Sequence, residues 1–185
     1  MPELSIEVLD QTRRLSPEAL EWLTRHVEQA IRHMGAAGEV RVRIIDDAEM
    51  AQAHEEYGGE PGTTDVLTFD LVDPEEVGSP PRMVRETGRL ESAGKKYGLD
   101  TDILVCIDVA ERQNQVIAPV SKPGLGAEKE LLLYVVHGVL HCLGMDDHEE
   151  AAAADMHRVE DAVLTAIGVG PVYSAGTEPE SGASG

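Results

Sequence analysis

Two histidines share one face of a predicted helix in the second half of the chain. The run Leu131 to Leu143 is apolar nearly all the way round, which is typical of a helix buried in a core. His137 and His141 are four residues apart, so both imidazoles project from the same side of that helix. The pair has the spacing of metal ligands.

A sharp turn and further ligand types follow the two histidines. Gly144 is suited to the left-handed residue that ends a helix, and Asp146, Asp147 and His148 come directly after it. A helix with two histidines and a third ligand on the returning chain gives a three-ligand zinc site with an open fourth position. We therefore predict one Zn²⁺ per chain.

The helix lacks the glutamate of zinc peptidases. Their motif is H-E-x-x-H, in which the Glu is the general base, whereas Gly138 holds that place here. Glycine within a helix costs roughly 1 kcal/mol relative to Ala, so Gly138 predicts the close approach of another backbone. A zinc hydrolase of peptides or small substrates is correspondingly disfavoured.

Three stretches of the sequence are similar to the motifs of one known family. The run His137 to Asp146, HGVLHCLGMD, is similar to H-G-x-L-H-L-x-G-Y-D-H. Thr64 to Phe69, TDVLTF, is similar to T-D-V-L-S-F. Asp102 to Val105 with Ala110 and Gln113 resembles G-D-I-x-I followed by A-x-x-Q. The three motifs stand in the order in which they occur in the YbeY family of bacterial rRNA maturation endoribonucleases, which the chain therefore resembles.

The resemblance implies a function for the predicted metal site. It implies a zinc-dependent, single-strand-specific endoribonuclease that acts in rRNA maturation, at the 3′ end of 16S rRNA, and in ribosome biogenesis. Single-stranded rRNA and ribosomal or assembly-factor proteins are the implied partners, with neither DNA nor a membrane. The metal would acidify a water molecule and neutralise phosphoryl charge, while Asp146 or Asp147 is the nearest carboxylate, either to take a proton or to cap and support the site. The catalytic residues stay unassigned.

The sequence departs from the family at two positions that matter. The family's third His falls six residues after the second, where Asp147 stands, and His148 is one residue further on. Because imidazole suits zinc well, the predicted ligands are His137, His141 and His148, with Asp147 as the alternative third ligand. The family also has an Arg, implicated in catalysis, where Gly58 follows Tyr57.

Composition limits the functional classes. The 185 residues carry a net charge of −20, whereas a nucleic-acid binder normally shows a basic footprint. Five basic residues nevertheless fall in one segment: Arg82, Arg85, Arg89, Lys95 and Lys96. This segment is either a set of RNA contacts or a solvated loop without a function. The missing Arg and the acidity favour a second hypothesis, a non-catalytic zinc-containing ribosome-assembly factor. No signal peptide or apolar run of about 20 residues is evident, so we expect a cytoplasmic protein.

The remaining pattern predicts an α/β (α+β) fold that is zincin-like. Helices pack on a single mixed sheet of about four strands, and the predicted zinc-ligand helix is buried at its centre. Residues 1–170 form one predicted domain, with a loop-like insertion at about 73–98 and a disordered tail at 171–185. Predicted strands and helices alternate along it: strands at Leu4 to Val8, Val40 to Ile44, Thr64 to Leu71 and Asp102 to Val109, and helices after Ser16, after Asp46 or Asp47, at Glu111 to Ile117, and along Met156 to Ile167.

Overall fold

The computed structural model describes residues 3–73, 82–91, 97–117 and 126–173. Its strands are β1 (Ser5–Asp10), β2 (Ala36–Ile45), β3 (Val66–Asp70), β4 (Met83–Val84), β5 (Arg89–Leu90) and β6 (Tyr97–Cys106). Its helices are α1 (Pro17–Met34), α2 (Asp47–Ala53), α3 (Ile107–Ile117), α4 (Ala127–Cys142) and α5 (Glu150–Ala166), with a π-helical turn at His54–Gly58. None of the described helices is long and apolar enough to cross a bilayer.

The main sheet is mixed and has four strands in the order β1-β2-β6-β3. β1, β2 and β6 run parallel, whereas β3 is antiparallel to β6. The predicted fold class is therefore confirmed, and a separate two-stranded sheet, β4-β5, is added to it. The alternating apolar residues of β2 explain its place: Val40, Val42 and Ile44 turn into the core while Arg43 faces solvent.

The centre of the sheet differs from the sequence prediction in its boundaries. β6 begins at Tyr97, inside the predicted insertion, and ends at Cys106, opposite the last residue of β2. The segment from Ile107 to Val109, predicted as strand, instead begins helix α3. A continuous run of apolar residues shows neither the two-residue period of a strand nor the 3.6-residue period of a helix. The sequence therefore does not show where the strand ends and the helix begins.

Helix α4 lies in the main core, as its composition predicts. Its side chains from Leu131 to Val136 are almost fully buried, and it packs against α1, α3, β3 and β6. α1 is fixed at its start by Ser16, whose hydroxyl accepts the backbone N–H of Ala19 at 3.2 Å. A smaller apolar cluster beneath α2 covers the opposite face of β6.

Part of the predicted insertion is a docked hairpin rather than a loop. Met83 and Leu90 face each other across β4 and β5 and join the main core. Two apolar residues as far apart as Met83 and Leu90 do not show the alternation of a strand, which is why the sequence did not indicate a strand pair. Residues 74–81 and 92–96 of the insertion, with Lys95 and Lys96, lie outside the described part, as does the predicted tail from 174 onward.

Candidate metal centre

His137 is held in one orientation by a buried acid. Its Nδ1 lies 2.7 Å from Oε1 of Glu160, a residue of α5 that has no exposed surface. A carboxylate only accepts hydrogen bonds at neutral pH, so Nδ1–H donates to it and Nε2 keeps its lone pair. This pairing of a carboxylate with a histidine is the usual support for a metal-ligating imidazole.

His141 is oriented in the same way by the turn that follows α4. Gly144 has a φ of 84°, the left-handed conformation predicted for it, and its N–H donates to the His141 carbonyl at 2.9 Å. The chain therefore reverses, and the Met145 carbonyl accepts from His141 Nδ1 at 3.1 Å. Nε2 of His141 is thereby also left as an acceptor.

The same turn brings Asp147 to the two histidines. Its carboxylate oxygens lie 3.5 Å from Nε2 of His137 and 3.7 Å from Nε2 of His141. The two Nε2 atoms are 3.0 Å apart. Within the described chain, His137, His141 and Asp147 thus form a group of three potential metal ligands.

His148, the third ligand favoured from sequence, lies elsewhere. Its side chain is 84% exposed and its Nδ1 contacts the carboxylate of Asp146. Asp146 also accepts the backbone N–H groups of Asp147 and His148, at 2.8 and 3.2 Å, so it caps this loop. The structure brings Asp147 to the histidine pair and does not bring His148, the reverse of the preference drawn from ligand chemistry.

The three grouped residues fit a zinc ion. Two imidazole lone pairs and a carboxylate converge, and a proton or a cation must lie between such acceptors to stabilise them. Ideal tetrahedral zinc, with ligands at about 2.0–2.1 Å, separates neighbouring donor atoms by roughly 3.3 Å. The separations of 3.0, 3.5 and 3.7 Å lie around that value.

Burial and charge act in opposite directions on His137. Burial lowers the pKa of this imidazole, but the hydrogen bond and the charge of Glu160, with the charge of Asp147, outweigh it, so the net pKa is raised. A cation is therefore favoured at this position, whether a proton or a metal ion. Because the metal must replace the proton, its affinity falls as the pH is lowered.

Gly138 allows the sheet to approach helix α4. A Cβ at this position would lie 2.4 Å from Oγ1 of Thr68 and 3.5 Å from the Ile103 side chain. The predicted close approach is present, but the neighbour is a side chain of β3 rather than a backbone. The contact sets α4 directly against the edge strand.

Glu160 is the functional residue that sequence reasoning missed. It sits on α5 beside the apolar line of Met156, Val159 and Val163, all fully buried. An acid at a buried helical position is rarely tolerated without a partner. That position was the available signal, but the sequence does not reveal which of seven histidines is the partner.

The position of the family's arginine is occupied by a tight local contact. A Cβ at Gly58 would lie 3.0 Å from Cδ2 of His54, whose Nδ1 is held by the Gly62 carbonyl at 2.9 Å. The left-handed residue that ends this turn is Gly59, with φ 73°, and not Gly58. A side chain at position 58 is therefore opposed by His54 rather than by the backbone.

Comparison with known proteins identifies the family. The family model described as Endoribonuclease YbeY matches residues 5–168. The chain belongs to the endoribonuclease YbeY family. The Endoribonuclease YbeY of Micrococcus luteus is 30% identical over 165 residues, 89% of this chain and 92% of the relative. That of Moorella thermoacetica is 32% identical over 169 residues, 90% of this chain and 98% of the relative. The solution structure of TM1509 from Thermotoga maritima covers 88% of this chain and 91% of its own, at 22% identity and a TM-score of 0.49.

The three stretches that resemble YbeY motifs meet in the structure. The first contains Gly138 of α4, the second contains Thr68 and the third contains Ile103, and Thr68 and Ile103 are the residues that a Cβ at Gly138 would meet. The other two stretches thus pack against the helix that carries His137 and His141.

Proposed function

We propose that this chain is a zinc-dependent endoribonuclease, with one zinc ion held by His137, His141 and Asp147. The observation that carries the proposal is the convergence of these three groups on a helix whose histidines are oriented by Glu160 and by the Met145 carbonyl. Membership of the endoribonuclease YbeY family supports a hydrolase that acts on RNA, because the relatives are named endoribonucleases.

The finer parts of the proposal rest on the family resemblance. They are specificity for single-stranded RNA, a role in rRNA maturation at the 3′ end of 16S rRNA and in ribosome biogenesis, a cytoplasmic location, and ribosomal or assembly-factor proteins as partners. Zinc is the proposed ion because two imidazoles and a carboxylate in a half-buried site suit it. His148 remains the alternative third ligand should the loop from Asp146 rearrange when the ion binds.

The chain's own residues have defined tasks in this proposal. When bound, zinc supplies positive charge that neutralises phosphoryl oxygens and acidifies water. Glu160 and the Met145 carbonyl keep both Nδ1 atoms protonated, so that both Nε2 atoms face the ion. Asp146 holds the loop that carries Asp147, which supports the reading of Asp146 as a loop cap rather than a proton acceptor.

A cleavage assay on single-stranded RNA tests the proposal. Zinc-loaded protein should cleave slowly, because the arginine absent at Gly58 would otherwise stabilise charge on the phosphoryl group. Chelation should abolish cleavage and added zinc should restore it. Cleavage that survives complete metal removal would contradict the zinc requirement.

The second candidate is a non-catalytic zinc-containing assembly factor. Gly58 in place of the arginine and the net charge of −20 favour it. The same assay decides between the two: a folded, zinc-loaded protein that leaves single-stranded RNA intact between pH 6 and 9 would be the assembly factor.

A further inference from the structure

The β4-β5 hairpin is fixed against the body of the protein. Met83 and Leu90 are only 8% and 7% exposed. The carbonyl of Thr87, at the hairpin tip, lies 2.6 Å from Nε2 of His33 on α1. Gly88 fits so closely against α5 that an added Cβ would lie 2.5 Å from Val163 Cγ2. Side chains on this hairpin therefore have a defined place.

The base of the hairpin and the turn after α4 form the two sides of one groove. The groove has a volume of about 310 Å³, and its lining includes Arg82 and Arg85 from the hairpin, Gly144, Met145 and Asp146 from the turn, and Asp155 from α5.

The turn side of this groove belongs to the candidate metal centre. The carbonyl of Met145 holds His141, and Asp146 directly precedes Asp147. The groove therefore borders the turn that carries Asp147.

Most of the described arginines are neutralised by acids, and Arg82 is not. Six of them form ion pairs with carboxylates: Arg14, Arg32, Arg41, Arg85, Arg112 and Arg158. In the groove itself, Arg85 binds Asp155 at 2.8 Å, and Asp146 is occupied by His148. Arg82 is exposed and has no ion-pair partner among the residues that the structure describes.

We propose that Arg82 binds a phosphate of single-stranded RNA in this groove, and so positions the substrate. The inference rests on the proposed function, since it names a contact for that substrate. A free guanidinium presents a planar set of donors that matches phosphate oxygens. Arg82 thereby supplies a cation at a cleft of a strongly acidic protein. Arg85 is secondary because Asp155 already holds it.

The salt dependence of RNA binding measures this contact. Affinity of the zinc-loaded protein for a single-stranded oligoribonucleotide is measured across salt concentrations, with gel analysis to confirm that the RNA stays intact. Each phosphate contact to a single strand contributes about 0.7 to the slope of log affinity against log salt. Arg82→Gln should therefore flatten the slope by about 0.7, whereas Arg82→Lys should preserve it.

Arg25→Gln is the matched control. Arg25 is exposed on α1, has no ion-pair partner in the described ranges, and does not line the groove. Its removal changes the net charge by the same amount and should leave the slope unchanged. Equal slopes in Arg82→Gln and Arg25→Gln would overturn the contact, while zinc content confirms that both variants are folded at the metal centre.

Failure of this contact is distinguishable from failure of the proposed function. If the wild type cleaves RNA and Arg82→Gln keeps the full slope, only the Arg82 contact is wrong. If the wild type binds RNA without cleaving it and the slope changes as expected, the contact stands and the catalytic proposal fails. If the wild type does not bind RNA at all, both are overturned.

Discussion

Among the described residues, three groups hold potential metal ligands at similar spacing, and two of them, which share no residue, differ in their surroundings. One is His137, His141 and Asp147, and the other is Asp47, Cys106 and Asp108. In both, one ligand atom from each residue lies within 4.8 Å of the others. The distances between ligand atoms alone do not separate them.

Arginines neutralise the second cluster. Arg112 donates two hydrogen bonds to Asp47, at 2.6 and 3.0 Å, and Arg14 binds Asp108 at 2.6 Å. The Arg112 contact outweighs partial burial and lowers the pKa of Asp47 to about 2. The cluster is an ion-pair network that needs no further cation.

The first cluster has the opposite surroundings. The groups that contact its histidines, Glu160 and the Met145 carbonyl, are acceptors, and no Lys or Arg of the described chain pairs with Asp147. Negative charge and lone pairs are left without a cation. The charge around the ligands, rather than their spacing, is therefore what favours the first cluster as the proposed metal centre.

The largest expected effect comes from a variant that disrupts the packing beside the first cluster. Gly138→Ala places a methyl group where Oγ1 of Thr68 lies 2.4 Å away, so either the Thr68 side chain must rotate or β3 and α4 must separate. We expect a loss of about 1–3 kcal/mol in the free energy of unfolding, measured by denaturant titration, as for other overpacked sites.

Thr68→Ala supplies the control for that variant. With the hydroxyl gone, Gly138→Ala should cost little or even stabilise the protein, because Ala is a better helix former by roughly 1 kcal/mol. An unchanged cost in the Thr68→Ala background would show that Thr68 is not the obstacle.

A smaller effect tests the role of Glu160, the buried acid beside His137. Glu160→Gln keeps an acceptor near His137 but removes the charge, so zinc affinity should fall by about 10–100-fold. Competition with a chromophoric chelator measures this affinity. Asp47→Asn, in the arginine-bound cluster, is the matched control and should bind zinc as tightly as the wild type. Equal zinc affinity in Glu160→Gln and the wild type would show that the charge of Glu160 does not contribute to zinc binding.

The sequence predicted the part of the site that a single helix determines. The spacing of His137 and His141 and the left-handed Gly144 are local properties, and both are present. Glu160 reaches His137 from another helix, which no local pattern shows. The choice between Asp147 and His148 depends on how the chain leaves Gly144, and ligand preference alone pointed to the residue that the structure turns outward.

The sheet shows the same division between local and distant information. The alternation in β2 predicted its buried face, whereas β6 and α3 share one apolar run and were divided at the wrong residue. β6 ends where its neighbour β2 ends, at the pair Ile45 and Cys106. That limit is set by pairing across the sheet and is absent from the run itself.

The smallest expected effect concerns the arginine-bound cluster. Asp47→Asn removes an ion pair that is largely exposed, so the free energy of unfolding should fall by no more than about 1 kcal/mol. The folded pKa of Asp47 is lowered from 3.8 to about 2, so its contribution is present above pH 3.8 and is lost as the pH falls through about 2. The difference in stability between wild type and Asp47→Asn should therefore narrow over that range. A difference that widens toward pH 2 would contradict the ion-pair account.

Zinc binding by four alanine variants tests the central claim most directly. Elemental analysis and chelator competition are applied to His137→Ala, His141→Ala, Asp147→Ala and His148→Ala, with circular dichroism to confirm folding. We predict one zinc per wild-type chain, loss of zinc in both variants of the α4 histidines, and weaker binding in Asp147→Ala than in His148→Ala. Weaker binding in His148→Ala would identify His148 as the third ligand. Full zinc occupancy in both His137→Ala and His141→Ala would contradict the metal centre itself.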